Sequence, residues 1–420
     1  MNRSKLMGLL AAALVSMAAS VQAGTVRWLH IEQNPDIAAF YTDVARRFEA
    51  ANPGTTVEMQ FLENESFKKK LTTLLQSPDK PHIIYSWGGG VLREQVKAGV
   101  IEDITAAVDS GGWRDTLSPT AWGTYSVNGR VYGVPMHTTQ VLFFYNKDLF
   151  AKAGVDGGAI KTWDDLLAAV KKLQAAGITP IVAGGADKWP LHFYWSHLAI
   201  RAGGKAAFEA AAAGEGKGFT SDTFVRAGEL FKQLTDLKPF QPGLLAATWP
   251  QSAGQFGDGK GAMMLMGNWI SNAMAANSAD KVGIPDSKLG WFAFPTVPGG
   301  KGGADDTLGG MNGWLVTKGA PKEATEFLRF FLGAQNQRIA AERGFHIPVV
   351  RGAAEAVKRP MLQDVARNVG RSQYHQLFYD QMLGPSVGAV VNDVSADLAA
   401  GRVSPADAAN KVQQAWKQAN

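Results

Sequence analysis

No cysteine occurs among the 420 residues. Its absence excludes disulfides, thiolate metal sites, cysteine nucleophiles and a lipid-modified cysteine anchor. A large excess of one charge is missing as well: the formal net charge is +5, and both signs are scattered along the chain, a pattern that gives no reason to expect nucleic acid. The longest basic run, Lys68 to Lys70, reads as a solvated helix face. Long apolar runs are scarce. The one from Leu6 to Ala19 is shorter than the ~20 residues of a bilayer span. It lies between Arg3 and Lys5 on one side and Val21-Gln22-Ala23 on the other, which is the layout of a secretory signal cleaved after Ala23. The mature protein is therefore expected to be exported and to diffuse freely.

What is present is a large supply of core material. Hydrophobic residues make up 46% of the chain, with 47 glycines and 12 tryptophans, enough for two or three domains of ordinary size. Val26 to Leu29 reads as a strand, followed by a helix capped by Asp36 with Ile37, Phe40, Tyr41, Val44 and Phe48 at helical spacing. Asn52-Pro53-Gly54 stops it. Val57, Met59 and Phe61 alternate as in a strand, Phe67, Leu71, Leu74 and Leu75 return to the helical period, and His82 to Tyr85 is a buried-strand run. Such β-α-β-α-β order gives a parallel, right-handed α/β sheet, and ligands bind such sheets beyond the carboxyl ends of the strands. Two loops are selected by that rule alone: His30 to Gln33, and Ser86 to Gly90.

A second α/β region begins near Val141 to Tyr145. Thr162 and Asp165 form a capping box for a helix carrying Trp163, Leu166, Leu167, Val170 and Leu173, with Trp163 expected to pack. Strand-like Met263 to Met266 and Gly313 to Val316 follow. A helix starts at Pro321 and the last one opens at Ser404-Pro405. Gly214 to Gly218 and Gly299 to Gly303 read as surface loops.

The order of motifs then resembles the extracellular solute-binding proteins of sugar ABC transporters, a family that includes maltose-, raffinose- and xylobiose-binding proteins. The resemblance rests on Phe48-Glu49-Ala50-Ala51-Asn52-Pro53-Gly54, Ala98-Gly99-Val100-Ile101-Glu102-Asp103-Ile104-Thr105, Tyr132-Gly133-Val134-Pro135, Tyr145-Asn146-Lys147-Asp148-Leu149-Phe150, Thr162-Trp163-Asp164-Asp165-Leu166, Gly259-Lys260-Gly261-Ala262-Met263-Met264 and Gly267-Asn268-Trp269. It implies an α/β, two-lobed periplasmic-binding-protein fold with a hinge and an interlobe ligand cleft. After the signal at 1–23, lobe one would take residues 24–138 and 290–333, and lobe two 139–289 and 334–420. The implied function is capture of a di- or trisaccharide in the periplasm by lobe closure and delivery to the membrane permease subunits, by a monomer that needs no cofactor or metal and is not an enzyme.

Carried over position by position, the resemblance makes Glu32, Gln33, Trp87, Gly88, Gly89, His137, Thr138, Thr139, Trp189, Asn268, Trp269, Gly310, Met311 and Asn312 ligand-binding. Thr139 stands where maltose-binding relatives carry a carboxylate, which argues against maltose, and Gly88-Gly89-Gly90 leans towards the raffinose- or xylobiose-like branch. The residue types suit a sugar, because a pyranose presents apolar C–H faces to indole rings and a rim of hydroxyls to fixed donors and acceptors. Trp87, Trp189 and Trp269 are expected in loops, and Glu32, His30, His137 and Asn312 offer polar partners.

The rival class is an exported glycan-active hydrolase with an aromatic cleft. Gly384-Pro385-Ser386-Val387-Gly388 spells a nucleophile elbow, yet no histidine follows Ser386 and helical spacing precedes it. Gly257 to Gly261 lacks the serine or threonine of a phosphate loop. His192 and His197 stand five apart, off the spacing that stacks two zinc ligands on a helix face. The adjacent pairs Asp164-Asp165 and Asp305-Asp306 do not face each other as glycosidase carboxylates must.

Overall fold

Strand and helix alternate at the N-terminus as the sequence predicts, and the result is a parallel core. The computed structural model describes residues 24–420; the expected secretory signal at 1–23 lies outside them. β1 (Gly24–His30) pairs in parallel with both β2 (Thr55–Phe61) and β3 (Ile83–Ser86), through α1 (Pro35–Ala51) and α2 (Asn64–Leu75). The cap of α1 is Asn34, not Asp36. Its side chain accepts the N–H groups of Asp36 at 2.9 Å and Ile37 at 3.2 Å, because Pro35 pre-sets the first helical residue and holds the one before it extended. α3 (Gly89–Lys97) follows β3.

Three later strands complete this sheet in antiparallel fashion: β4 (Gly133–Thr138), β9 (Met311–Val316) and β10 (Ile347–Pro348), giving the order β10-β4-β9-β3-β1-β2. Inward-facing residues build one hydrophobic cluster. Trp28, fully buried, meets Trp314 at 5.2 Å and Phe327 at 5.0 Å, both edge-to-face.

β5 (Val141–Asn146) is the centre of a smaller antiparallel sheet, flanked by β6 (Met263–Gly267) and β7 (Leu289–Phe292). Around it lie α4 (Trp163–Ala175), with the Thr162/Asp165 capping box in place, and α5 (Trp189–Ala212). They form a second cluster, in which Trp163 is fully buried and stacks on Phe294 at 5.8 Å. α6 (Ile270–Asn277), β8 (Thr307–Gly309), β11 (His375–Leu377), α8 (Tyr379–Met382), α9 (Pro385–Ala399) and α10 (Pro405–Ala419) belong with it. α7 (Lys322–Phe331) covers the first cluster instead.

The chain passes between the clusters at Thr138–Val141, at Gly309–Met311 and near β10. These crossings differ from the boundaries expected from sequence. Phe292, Phe294, Val297 and Leu308 pack in the second cluster, because β7 pairs with β5, whereas Ala340, Val350 and Ala353 pack in the first. At the second crossing Gly310 N–H donates to the Thr139 hydroxyl at 2.8 Å, and Thr139 N–H to the Gly310 carbonyl at 2.9 Å. A Cβ on Gly309 would lie 1.9 Å from the Thr139 carbonyl, so the two crossing segments touch backbone to backbone. No helix among the described residues is long and apolar enough to cross a membrane.

Candidate functional site

The loops chosen by the strand-end rule do converge on one cleft between the clusters, about 1250 Å³ of empty space with its open mouth included. Trp87 follows β3, half-buried, and packs against both clusters. Facing it from the second lobe are Trp189, Trp249 and Trp269. Trp189 is no loop residue: it opens α5, immediately before Pro190, and is 7% exposed. Trp249 and Pro250 start another helix in the same way. The two indoles meet edge-on at 5.5 Å, while the Asp187 carboxylate accepts the backbone N–H of Trp249 at 2.6 Å. A Trp-Pro pair at a helix start is legible, since proline suits the first turn. The repetition is the signal by which Trp249 was findable.

Trp269 sits in the tight turn from β6 to α6. Its ring lies over Gly267, where an added Cβ would come within 1.9 Å of it, and Phe193 and Phe378 stand edge-on at 6.4 and 6.0 Å. Part of the indole remains exposed to the cleft.

The polar floor comes from β1, β3, β4 and β9. Asn312 on β9 is in register with His137 on β4, and its amide nitrogen lies 3.3 Å from the His137 Nε2. His346, at the third crossing, lies 5.1 Å from His137, ring to ring. Burial pulls His30 and His137 down to about 4 and His346 well below its usual range, so all three are neutral at pH 7, each with one donor and one acceptor nitrogen. Glu32 turns its carboxyl into this floor. Burial pushes it up to about 7, against the opposing backbone hydrogen bonds from Asn34 and Gln33. Four cleft side chains hold a buried polar atom with no protein partner: His137 Nδ1, Asn312 Oδ1, Trp189 Nε1 and His192 Nε2. Buried polar groups are ordinarily paired, and a ligand rich in hydroxyls supplies both donors and acceptors for them.

Glu32, Gln33, Trp87, His137, Thr139, Trp189, Asn268, Trp269 and Asn312 all line the cleft. Gly88, Gly89, Thr138, Gly310 and Met311 do not line it. Gly310 is taken up by the hinge contact with Thr139, Thr138 is buried in register with Met311 and Ile347, and Met311 packs on Thr124. Lys68 also departs from expectation. Its ammonium lies 5.2 Å from Trp87 and 5.4 Å from Trp189, between indoles of the two lobes, and 3.3 Å from Glu65, so only Lys69 and Lys70 form the solvated face. His192, which the sequence offers only as a metal-ligand candidate, lines the cleft 3.8 Å from the buried carboxylate of Asp380. Ser386 of the elbow string is exposed near the start of α9, after a helix instead of a strand.

The Glu32 carboxyl gives a measurable pH signature. Its folded value is above the unfolded one, near 4.5, so the folded state binds the extra proton between about 4.5 and 7 and loses stability from this group as pH rises through that window. Glu32→Gln removes that loss. Urea unfolding from pH 5 to 8 should show the variant gaining on the parent as pH increases, and a constant difference would mean that Glu32 is not held protonated.

The chain is similar to known binding proteins in both sequence and fold. A binding protein of Brucella abortus (strain 2308) is 27% identical over 304 residues, covering 70% of this chain and 69% of that protein. The arabinooligosaccharide-binding protein of Bacillus subtilis (strain 168) is 25% identical over 260 residues, covering 58% of this chain and 54% of that protein. A solved chitin oligosaccharide binding protein superposes with a TM-score of 0.84 at 25% identity, over 95% of this chain and 99% of its own. Residues 33–338, running through both lobes and two of the three crossings, match the model of the bacterial extracellular solute-binding proteins, and the chain belongs to that family.

Proposed function

We propose that the chain is the periplasmic substrate-binding component of a carbohydrate ABC transporter, taking a di- or trisaccharide between its lobes and presenting the closed form to the permease subunits as a monomer. In this reading lobe one consists of residues 24–138 and 311–353, and lobe two of the remainder after the signal. The observation that carries it is the single cleft walled by indoles from both lobes, Trp87 opposite Trp189, Trp249 and Trp269, over a floor of unpaired hydrogen-bonding atoms. A ligand touching both walls favours the closed form, because only differential contact shifts that balance. Membership of a solute-binding family supports transport over catalysis, and the arabino- and chitin-oligosaccharide ligands named for two relatives support an oligosaccharide as the solute.

A disaccharide of about 23 heavy atoms at roughly 0.3 kcal/mol each would bind with about 7 kcal/mol, a dissociation constant near ~1–10 μM. A ligand at a hundred times its dissociation constant stabilises the folded state by about 2.7 kcal/mol. A thermal-shift screen of mono-, di- and trisaccharides at millimolar concentration should therefore raise the melting temperature for at least one, and the sugar should be recovered intact. If no sugar shifts the transition, the carbohydrate reading is wrong; a cleaved sugar would restore the hydrolase reading.

A further inference from the structure

Gly88 and Gly89, expected to touch sugar, and Gly90 after them meet protein backbone instead. Gly88 and Gly89 turn the chain with φ of 69° and 67°, and Gly90 is the second residue of α3 with no positive φ of its own. A Cβ on Gly89 would lie 2.8 Å from the Gln381 carbonyl. On Gly90 it would lie 2.5 Å from the Gly384 nitrogen and 2.7 Å from the Met382 carbonyl. Gln381 to Gly384 is the turn from α8 to α9, whose neighbours Phe378, Tyr379 and Val387 sit in the second core, whereas Leu92 of α3 sits in the first. Beside it the Arg93 guanidinium donates from Nη2 to the Met382 carbonyl at 3.0 Å.

We propose that Gly89 and Gly90 are the closing seat of the protein: with no side chains between them, the first turn of α3 docks directly on the α8–α9 turn of the opposite lobe, and Arg93 clips the contact. They position the lobes and do not contact the sugar. The inference rests on the reading that the lobes close around a ligand. Backbone on both sides leaves nothing flexible to yield, so one methyl group is enough to hold the seat apart. An apparent affinity falls by the same factor as the binding-competent population.

Gly90→Ala isolates the effect, because alanine is the better helix former at a helical φ and ψ, so lobe one itself should not suffer. The absence of native cysteines lets spin labels be attached only at Glu94→Cys on α3 and Ala389→Cys on α9, both exposed. Pulsed-dipolar distances are measured without sugar and with diacetylchitobiose, arabinotriose, xylobiose and raffinose. The labelled parent should show a short-distance population that one of these sugars increases. Gly90→Ala should lose it and bind that sugar more than tenfold more weakly at an unchanged or higher melting temperature, while Gly123→Ala, with nothing within 4 Å of its Cβ, behaves as the parent. The seat is overturned if Gly90→Ala keeps the short distance, or if the parent never shows it. A parent that shows the short distance but responds to no sugar keeps the seat and removes the carbohydrate reading.

Discussion

Trp269→Ala is expected to weaken oligosaccharide binding by about 10- to 100-fold, with a melting temperature close to that of the parent. Full burial of a large apolar side chain stabilises by roughly 1.5–3 kcal/mol, and each 1.4 kcal/mol is tenfold in affinity. The indole is built for that use: Gly267 makes room beneath it, and Phe193 and Phe378 fix it edge-on. What it leaves exposed faces the cleft. A sugar ring laid on it loses that platform entirely in the variant. Stability should change far less than the roughly 3–5 kcal/mol of a core tryptophan truncation, because the ring is only partly packed. Titration calorimetry with the sugar found by screening, beside thermal unfolding of the free protein, separates the two effects. Unchanged affinity would remove Trp269 from the site.

How legible these features were depended on how local their cause is. The Thr162/Asp165 box, the Asn52-Pro53-Gly54 stop and the β-α-β-α-β opening depend on residues within a few positions of one another, and they stand where the sequence puts them. The strand-end rule reached Glu32 and Trp87 for the same reason, since it needs only the order of elements. Position within a local motif was harder. Asp36 and Asn34 are both good caps, and Pro35 decides between them by fixing its own φ.

Non-local pairing was less legible. β7 carries no mark that it pairs with β5, so the sequence does not show that Phe292, Phe294, Val297 and Leu308 pack in the second cluster. His346 reaches the floor only because β10 pairs with β4. Lys68 looks like any helix cation until Trp189, brought over by the second lobe, stands on its other side. A run of three glycines is conspicuous in the sequence, but whether it faces a ligand or another backbone depends on α8 and α9, nearly three hundred residues further along the chain.

The largest loss of stability is expected from a residue outside the cleft. Arg201 lies within α5, 1% exposed, and its guanidinium donates only to backbone: Nε to the carbonyls of Phe294 and Pro295, Nη1 to Gly303 and Asp306, Nη2 to Phe294 and Ala304, at 2.6 to 3.2 Å. These carbonyls lie on the segment between β7 and β8 that leads into the Gly310 hinge contact. Burial pulls the guanidinium down to about 10, with Asp306 and Asp305 opposing, so it is still charged at neutral pH. Arg201→Met keeps much of the stem's volume and leaves five carbonyls without their donor. Each orphaned buried acceptor costs about 1–3 kcal/mol, and with partial relief by water entering the site a net loss of about 3–5 kcal/mol is expected. At roughly 2–4 °C per kcal/mol for a domain of this size, the melting temperature should fall by about 10 °C. Arg201→Lys tests whether the planar fork or the charge alone is needed: an ammonium cannot span five acceptors spread around a guanidinium plane, so lysine should recover less than half of the loss. A lysine variant as stable as the parent would mean that the charge, and not the fork, ties α5 to the segment that enters the hinge.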